Sequence, residues 1–187
     1  MEMRLQSQKR VAIFIDGSNF YHSVRDLFEV HDNEVDFGRL VDFIKGERLL
    51  IGTYYYNAPL DRSYNEQVYW KQQKFFSRLR RIPGFHVILC NMRKIIKPGG
   101  EPEFSVKGDD IHLATDMISM AYENLYDVAV LVSGDGDFVP AILKVQKLGK
   151  YVENAYFSIS RSNFLKSVCN KSVFLNDVIE GCIKKEH

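Results

Sequence analysis

Two short runs constrain this chain more than anything else in it. Val11-Ala12-Ile13-Phe14-Ile15 and Val128-Ala129-Val130-Leu131-Val132 hold no polar residue at any position, and each is followed at once by an acidic, glycine-containing stretch. Successive side chains of a strand point to opposite faces, so a run that is apolar throughout must be covered on both faces. Helices supply that cover, and strands alternating with helices indicate an α/β domain with a mainly parallel sheet. At 187 residues, 45% hydrophobic and 26% charged, the chain matches one soluble globular domain with enough core to fold without staples.

The remaining segments agree with a three-layer α/β/α arrangement. Helices are predicted over 18–30, 37–45, 63–81, 109–124 and 138–148, the last with Asp137 as N-cap, Pro140 in its first turn and Gly149 as its stop. Further strands are predicted over 49–57, 85–90 and 151–157. Residues 91–106 contain Pro98-Gly99-Gly100 and read as a loop or small hairpin. One or two helices are expected over 161–183. The whole chain, 1–187, is then a single domain with its core over about 11–157 and a helical extension over 158–187.

Several classes are excluded. The apolar run near the start is too short for an export signal, and no stretch approaches the ~18 apolar residues of a spanning helix. Cys90, Cys169 and Cys182 lie far apart and outside any CxxC spacing, so they build neither a disulfide framework nor a zinc site. A cytoplasmic protein with ordinary buried thiols is expected. An apolar face on the last helices would permit a homodimer.

In an open parallel sheet the ligand sits beyond the carboxyl ends of the strands. Asp16 follows the first apolar run directly, and Asp135 and Asp137 follow the second. Asp109 and Asp110 open the helix that runs back across the sheet before the second run, so they reach the same edge. Alone, each is an ordinary turn or helix-start residue. Together, three separate segments deliver carboxylates to one edge, where their mutual repulsion is relieved by a divalent cation. Oxygen ligands select a hard ion, Mg²⁺ or Mn²⁺. Such an ion lowers the pKa of a bound water and clamps phosphate oxygens, which is the chemistry of phosphodiester hydrolysis. Asp116, one turn beyond His112, is either a further ligand or a solvated or paired carboxylate.

These residues carry a family resemblance. Val11-Ala12-Ile13-Phe14-Ile15-Asp16-Gly17-Ser18-Asn19-Phe20-Tyr21 resembles the first motif of the NYN domain, in its LabA-like branch. Lys107-Gly108-Asp109-Asp110-Ile111-His112 resembles the second, and Leu131-Val132-Ser133-Gly134-Asp135-Gly136-Asp137-Phe138 the third. Tyr54-Tyr55-Tyr56-Asn57-Ala58-Pro59 and Leu148-Gly149-Lys150-Tyr151-Val152-Glu153 resemble two further strand regions of the family. The resemblance implies a PIN-like fold and a metal-dependent ribonuclease leaving 5′-phosphate and 3′-hydroxyl ends. It places Asp16, Asp110, Asp135 and Asp137 at the catalytic, metal-binding positions, with Asn19, Ser133 and Asp109 supporting them. Asp109 stands where many LabA-like members carry a small or apolar residue.

The formal net charge of +1 conceals a division. Between residues 71 and 107 stand Lys71, Lys74, Arg78, Arg80, Arg81, Arg93, Lys94, Lys97 and Lys107 against only Glu101 and Glu103, a net +7. Residues 109–137 carry seven acids and no Lys or Arg, a net −7. A basic block holds a phosphate backbone while a metal neutralises the acids. Arg93, Lys94, Lys97 and Lys107 are the candidate contacts to single-stranded or looped RNA. Lys71, Lys74, Arg78 and Arg81 read either as the wet face of a helix or as further contacts, and Tyr54 to Tyr56 as core or as a surface on which bases stack. Two rival functions remain at this level: a non-catalytic RNA- or protein-binding module of the same fold, and a metal-dependent phosphatase, whose Asp-x-Asp motif Asp135-Gly136-Asp137 resembles but whose usual following Gly-Thr is Phe138-Val139 here.

Overall fold

The computed structural model describes residues 8–60, 62–63, 65–90, 92–96, 102–106, 108–160 and 162–184, with the backbone alone over 92–96 and 102–106. In chain order its elements are β1 (Arg10–Asp16), α1 (Gly17–Phe28), a 3₁₀ turn (Asp32–Glu34), α2 (Phe37–Lys45), β2 (Leu49–Asn57), α3 (Glu66–Leu79) and β3 (Phe85–Leu89). There follow β4 (Met92–Ile96), β5 (Pro102–Val106), α4 (Asp109–Tyr122), β6 (Val128–Val132), a second 3₁₀ turn (Gly136–Phe138), α5 (Val139–Lys147), β7 (Tyr151–Tyr156), α6 (Asn163–Val168), β8 (Lys171–Phe174) and α7 (Asn176–Cys182).

Six strands form one sheet in the order β3-β2-β1-β6-β7-β8, every neighbouring pair parallel. The alternation within the two apolar runs explains why both faces are covered. Val11, Ile13, Ile15, Val128, Val130 and Val132 pack on one face with Phe20, Leu40, Phe76 and Ile179, from α1, α2, α3 and α7. Ala12, Phe14, Ala129 and Leu131 pack on the other with Leu113, Met117, Ile142 and Leu165, from α4, α5 and α6. The change of helix face follows from right-handed crossovers: the chain winds outward from β1 to β3, crosses back, and winds the other way from β6 to β8. The reversal point lies between β1 and β6, where such sheets open a crevice.

Residues 91–106 supply a small antiparallel hairpin, β4 with β5. Tyr55 and Tyr56 are fully buried, and half-buried Tyr54 stacks between Phe14 and His86, so the tyrosine run is core. Cys90 and Cys182 are buried, Cys169 is half-buried, and all three are free. Among the described residues no helix is long and apolar enough to cross a membrane.

The C-terminal segment departs from the expected purely helical extension. Lys171–Phe174 is a strand that pairs with Glu153 through Tyr156, and Leu175, Ile179 and Cys182 behind it enter the core. Apolar periodicity missed it because a four-residue edge strand has little to alternate. Its Lys171 and Ser172 suit a sheet edge exposed to water. α4 starts at Asp109 as predicted, whereas the start of α5 shifts. Gly108, at φ +105°, caps α4, so Asp109 and Asp110 occupy its first turn. Asp135 caps the second 3₁₀ turn, Asp137 lies within that turn, and α5 begins after Phe138, so Asp137 is not the N-cap of α5.

Candidate active site

The crevice between the ends of β1 and β6 is built from backbone turns that side chains hold closed. Asp16 ends β1 and is only 6% exposed. One carboxylate oxygen accepts from the backbone N–H of Asn19 (3.0 Å), capping α1, and the other accepts from the Ser133 hydroxyl (2.9 Å). Asn19 returns the link, its side-chain oxygen accepting from the N–H of Gly134 (3.0 Å). The N–H of Asp135 donates to the Ser133 oxygen (3.0 Å), and that of Asp137 to the Asp135 carboxylate (2.9 Å). The end of β1 and the end of β6 are thereby locked to each other through polar groups alone.

Two glycines permit the closeness. A Cβ on Gly17 would lie 2.6 Å from the Tyr55 ring and from the Tyr56 carbonyl oxygen. One on Gly134 would fall 1.6 Å from the Ser160 carbonyl oxygen, which the backbone could not tolerate.

Electrostatics shows which carboxylates share the site. The Asp16 carboxyl is pushed up to about 6, first by burial, against the pull of the Asn19 N–H and the Ser133 hydroxyl, and further by the charges of Asp109 and Asp135. Asp110 is likewise raised to about 6, first by desolvation and then by Asp16, Asp109, Asp135 and Asp137. None of these five carboxylates forms an ion pair among the described residues. The Cys90 thiol nearby is raised to about 11 by burial and by Asp109, Asp116 and Asp110, so it is protonated at neutral pH and no nucleophile.

Asp116 lies further along α4 than Asp110, and its charge also reaches Cys90. It accepts from the Tyr56 hydroxyl at 2.9 Å, which describes a paired carboxylate at the flank of the site. Arg93 and Lys94 lie on the backbone of β4, opposite Ser105 and Phe104. Lys97 and Lys107 lie outside the described residues.

As a donor set the cluster suits a hard divalent cation: oxygen ligands, negative charge without a basic partner, and carboxyls whose raised pKa values a nearby positive charge would bring down. Among the described residues no three His, Cys, Asp or Glu side chains are close enough to hold an ion as they stand. An ion that keeps several of its waters needs only one or two direct carboxylates.

Sequence reasoning missed three members of the surrounding frame. Buried Asn154 on β7 donates to the carbonyls of Leu131 (3.2 Å) and Ser133 (2.8 Å), fixing the exit of β6. Its signal was a polar residue inside an otherwise buried strand. Ser160 packs against Gly134, and its side-chain oxygen accepts from the Ser23 hydroxyl (3.2 Å). Asp32 accepts from the Tyr55 hydroxyl (3.3 Å), which also reaches the Gly17 carbonyl (3.5 Å); no local pattern marked either of these.

Comparison with known proteins bears on the family and the fold. A family model for the NYN domain matches residues 10–176. The crystal structure of a protein of unknown function from Vibrio parahaemolyticus superposes with a TM-score of 0.74 at 25% identity, covering 95% of this chain and 99% of that one. The MurG structure from Acinetobacter baumannii superposes with a TM-score of only 0.40 at 9% identity, covering 89% of this chain and 45% of that one, too remote to carry an argument. No curated protein matches the sequence significantly.

Proposed function

The chain belongs to the NYN domain family, whose PIN-like members are generally nucleases, and from that premise we propose that it is a Mg²⁺- or Mn²⁺-dependent endoribonuclease of the LabA-like kind acting on single-stranded or looped RNA. The observation that carries this reading is the group of five mutually repelling carboxylates, without a basic partner among the described residues, at the point where the strand order reverses. Asp16, Asp110, Asp135 and Asp137 would hold the cation, with Asp109 beside them. Bound there, a divalent ion supplies an activated water and neutralises charge that builds on the phosphate.

The chain's own groups do the positioning. The Asn19 N–H and the Ser133 hydroxyl fix the direction in which the Asp16 carboxylate presents itself, and Asn19 and Asn154 keep the turn after β6 from moving away. Asp116, held by Tyr56, adds negative charge at the flank. Arg93 and Lys94 on β4, and Lys97 and Lys107, which follow β4 and β5 in sequence, are assigned to the RNA backbone. Cleavage would leave 5′-phosphate and 3′-hydroxyl ends.

The test is cleavage of end-labelled RNA with Mn²⁺, with and without EDTA, by the wild type, Asp16→Asn and Asp110→Asn. Loss of cleavage in EDTA and in both variants is expected. Equal cleavage by wild type and Asp16→Asn would overturn the assignment. Turnover of p-nitrophenyl phosphate without RNA cleavage would replace it with a phosphatase. Tight, cleavage-free RNA binding at every metal concentration would replace it with a binding module.

A further inference from the structure

The stretch from Gln67 to Gly100 contains no Asp or Glu. Four of its cations, Lys71, Lys74, Arg78 and Arg81, recur at spacings of three, four and three residues along α3 and its C-terminal turn. At 100° per residue they fall within about 80° of the helix circumference, over about 15 Å of its axis. The opposite side of α3 is anchored: Phe75, Phe76 and Leu79 are buried, with Phe75 and Phe76 against Tyr55. The stripe is therefore fixed in direction.

With Asn33 and Ser77 the four cations line a concavity of about 400 Å³. Several other surface cations meet acids: Arg25 with Asp26, Arg39 with Asp36, Lys45 with Asp42, and Arg62 with Glu66 at the start of α3. Lys144, Lys147 and Lys166 on α5 and α6 are unpaired among the described residues but do not line that concavity. None of the four stripe cations has such a partner among the described residues. The charge of Arg78 also acts on Asp32, a half-buried carboxylate held by the Tyr55 hydroxyl. One such acid does not balance four cations, which repel one another along the groove, and a polyanion removes that cost.

The groove also adjoins the carboxylate crevice. α3 starts at the carboxyl edge, after β2, and runs away from it, so Lys71 is nearest that edge. Asn33, on the far wall, follows Asp32, whose carboxylate accepts from Tyr55, and the same Tyr55 hydroxyl touches the carbonyl of Gly17, the residue after Asp16.

We propose that this groove on α3 is a second, sequence-independent contact for the phosphate backbone of single-stranded RNA, carrying the strand along the flank of the molecule away from the carboxylates. Among the described residues no aromatic or apolar one lines it, so it takes phosphates and not bases. The proposal rests on the ribonuclease reading for the identity of the polyanion.

The test measures binding of a fluorescent single-stranded RNA in EDTA, so that no cleavage intervenes, across a salt series. It compares the wild type with Lys71→Gln/Lys74→Gln/Arg78→Gln/Arg81→Gln and with Lys144→Gln/Lys147→Gln, exposed cations of α5 on the other face. Gln keeps the helix propensity of Lys and Arg, and thermal melts confirm folding. The fourfold variant is expected to bind at least tenfold more weakly at about 0.1 M salt, and to lower the slope of log K against log[salt] by about 3, near 0.7 for each phosphate no longer neutralised. The α5 variant should leave both unchanged. An unchanged slope in the fourfold variant, an equal loss in the α5 variant, or failure of the wild type to bind RNA would overturn the proposal. So would displacement of the RNA by an acidic peptide of matched charge at equal concentration, which would assign the groove to a protein partner. Hydrolysis of bis(p-nitrophenyl) phosphate with Mn²⁺, a substrate too small to reach α3, separates the two readings. If it persists in the fourfold variant while RNA binding is unaltered, the groove assignment alone fails. If RNA binding responds as expected but neither substrate is cleaved, the ribonuclease reading alone fails.

Discussion

Asp16 is both the cap of α1 and a carboxylate buried beside other carboxylates, and the two roles oppose each other. The cap needs an oxygen acceptor, while burial and the charges of Asp109 and Asp135 disfavour the ion and lift the group from 3.8 to about 6. The native state therefore binds more protons than the unfolded chain between about pH 4 and 6, and metal-free stability falls as pH rises through that window, then levels off. The full effect is about 3 kcal/mol. Asp16→Asn keeps an oxygen for the Asn19 N–H and loses the charge. In EDTA it should resist urea better than the wild type at pH 8, by up to about 3 kcal/mol, with the difference gone near pH 4, although it is the variant expected to abolish cleavage. A lower urea midpoint than wild type at pH 8 would contradict this. Gly134 makes the complementary case at a residue with no side chain. An alanine methyl would sit 1.6 Å from the Ser160 carbonyl oxygen, so backbone must move. Gly134→Ala should lose about 2–3 kcal/mol in thermal or urea unfolding, the cost of overpacking a tight site, and should lose cleavage as well because Ser133 moves with it. Retained stability would mean that the loop at Ser160 yields freely.

Among the elements, what could be read from sequence followed from continuity of apolar character. β1 and β6 were legible because they are buried on both faces, and once they were placed the positions of Asp16, Asp135 and Asp137 followed from chain direction. Asp109 and Asp110 followed from the need for α4 to run back across the sheet. The frame around them was not legible, because Asn154, Ser160 and Asp32 act through contacts between segments far apart in sequence. β8 escaped for another reason: its pairing energy lies in backbone hydrogen bonds to β7, which leave no mark on the residue pattern. A segment read as an extension is in fact part of the sheet and core. Burying Leu175 and Ile179 alone is worth roughly 1.5–3 kcal/mol each, a large share of the 5–15 kcal/mol that holds a domain together. A chain ended at Asn170 should lose its cooperative melt, or melt more than about 10 °C lower by circular dichroism. An unshifted melt would show that the sheet is complete at β7.

For the molecule as a whole, the sequence segregates its charge and the fold keeps the two signs in separate places. The acids gather where β1, α4 and β6 meet, and the α3 cations line a groove on its outer side. Folding thus works against repulsion within each group, and partners bound from solution relieve it. A divalent cation bound by the native state alone stabilises by RT ln(1 + [L]/Kd), about 2.7 kcal/mol at a hundredfold excess over Kd. In a domain of this size that raises the melting temperature by about 5–10 °C. At pH 7.5 Mn²⁺ should produce such a rise in wild type and EDTA should reverse it. At pH 5, Asp16 and Asp110 hold protons that the ion must displace, so the rise should shrink. Asp16→Asn should show little rise at either pH, and the fourfold α3 variant should show the full wild-type rise, because its cations do not touch the ion. The discriminating measurement is differential scanning fluorimetry of the three proteins over a Mn²⁺ series at both pH values. An equal Mn²⁺ shift in Asp16→Asn would place the ion elsewhere, and a shift as large at pH 5 as at pH 7.5 would mean that these two carboxyls do not bind it.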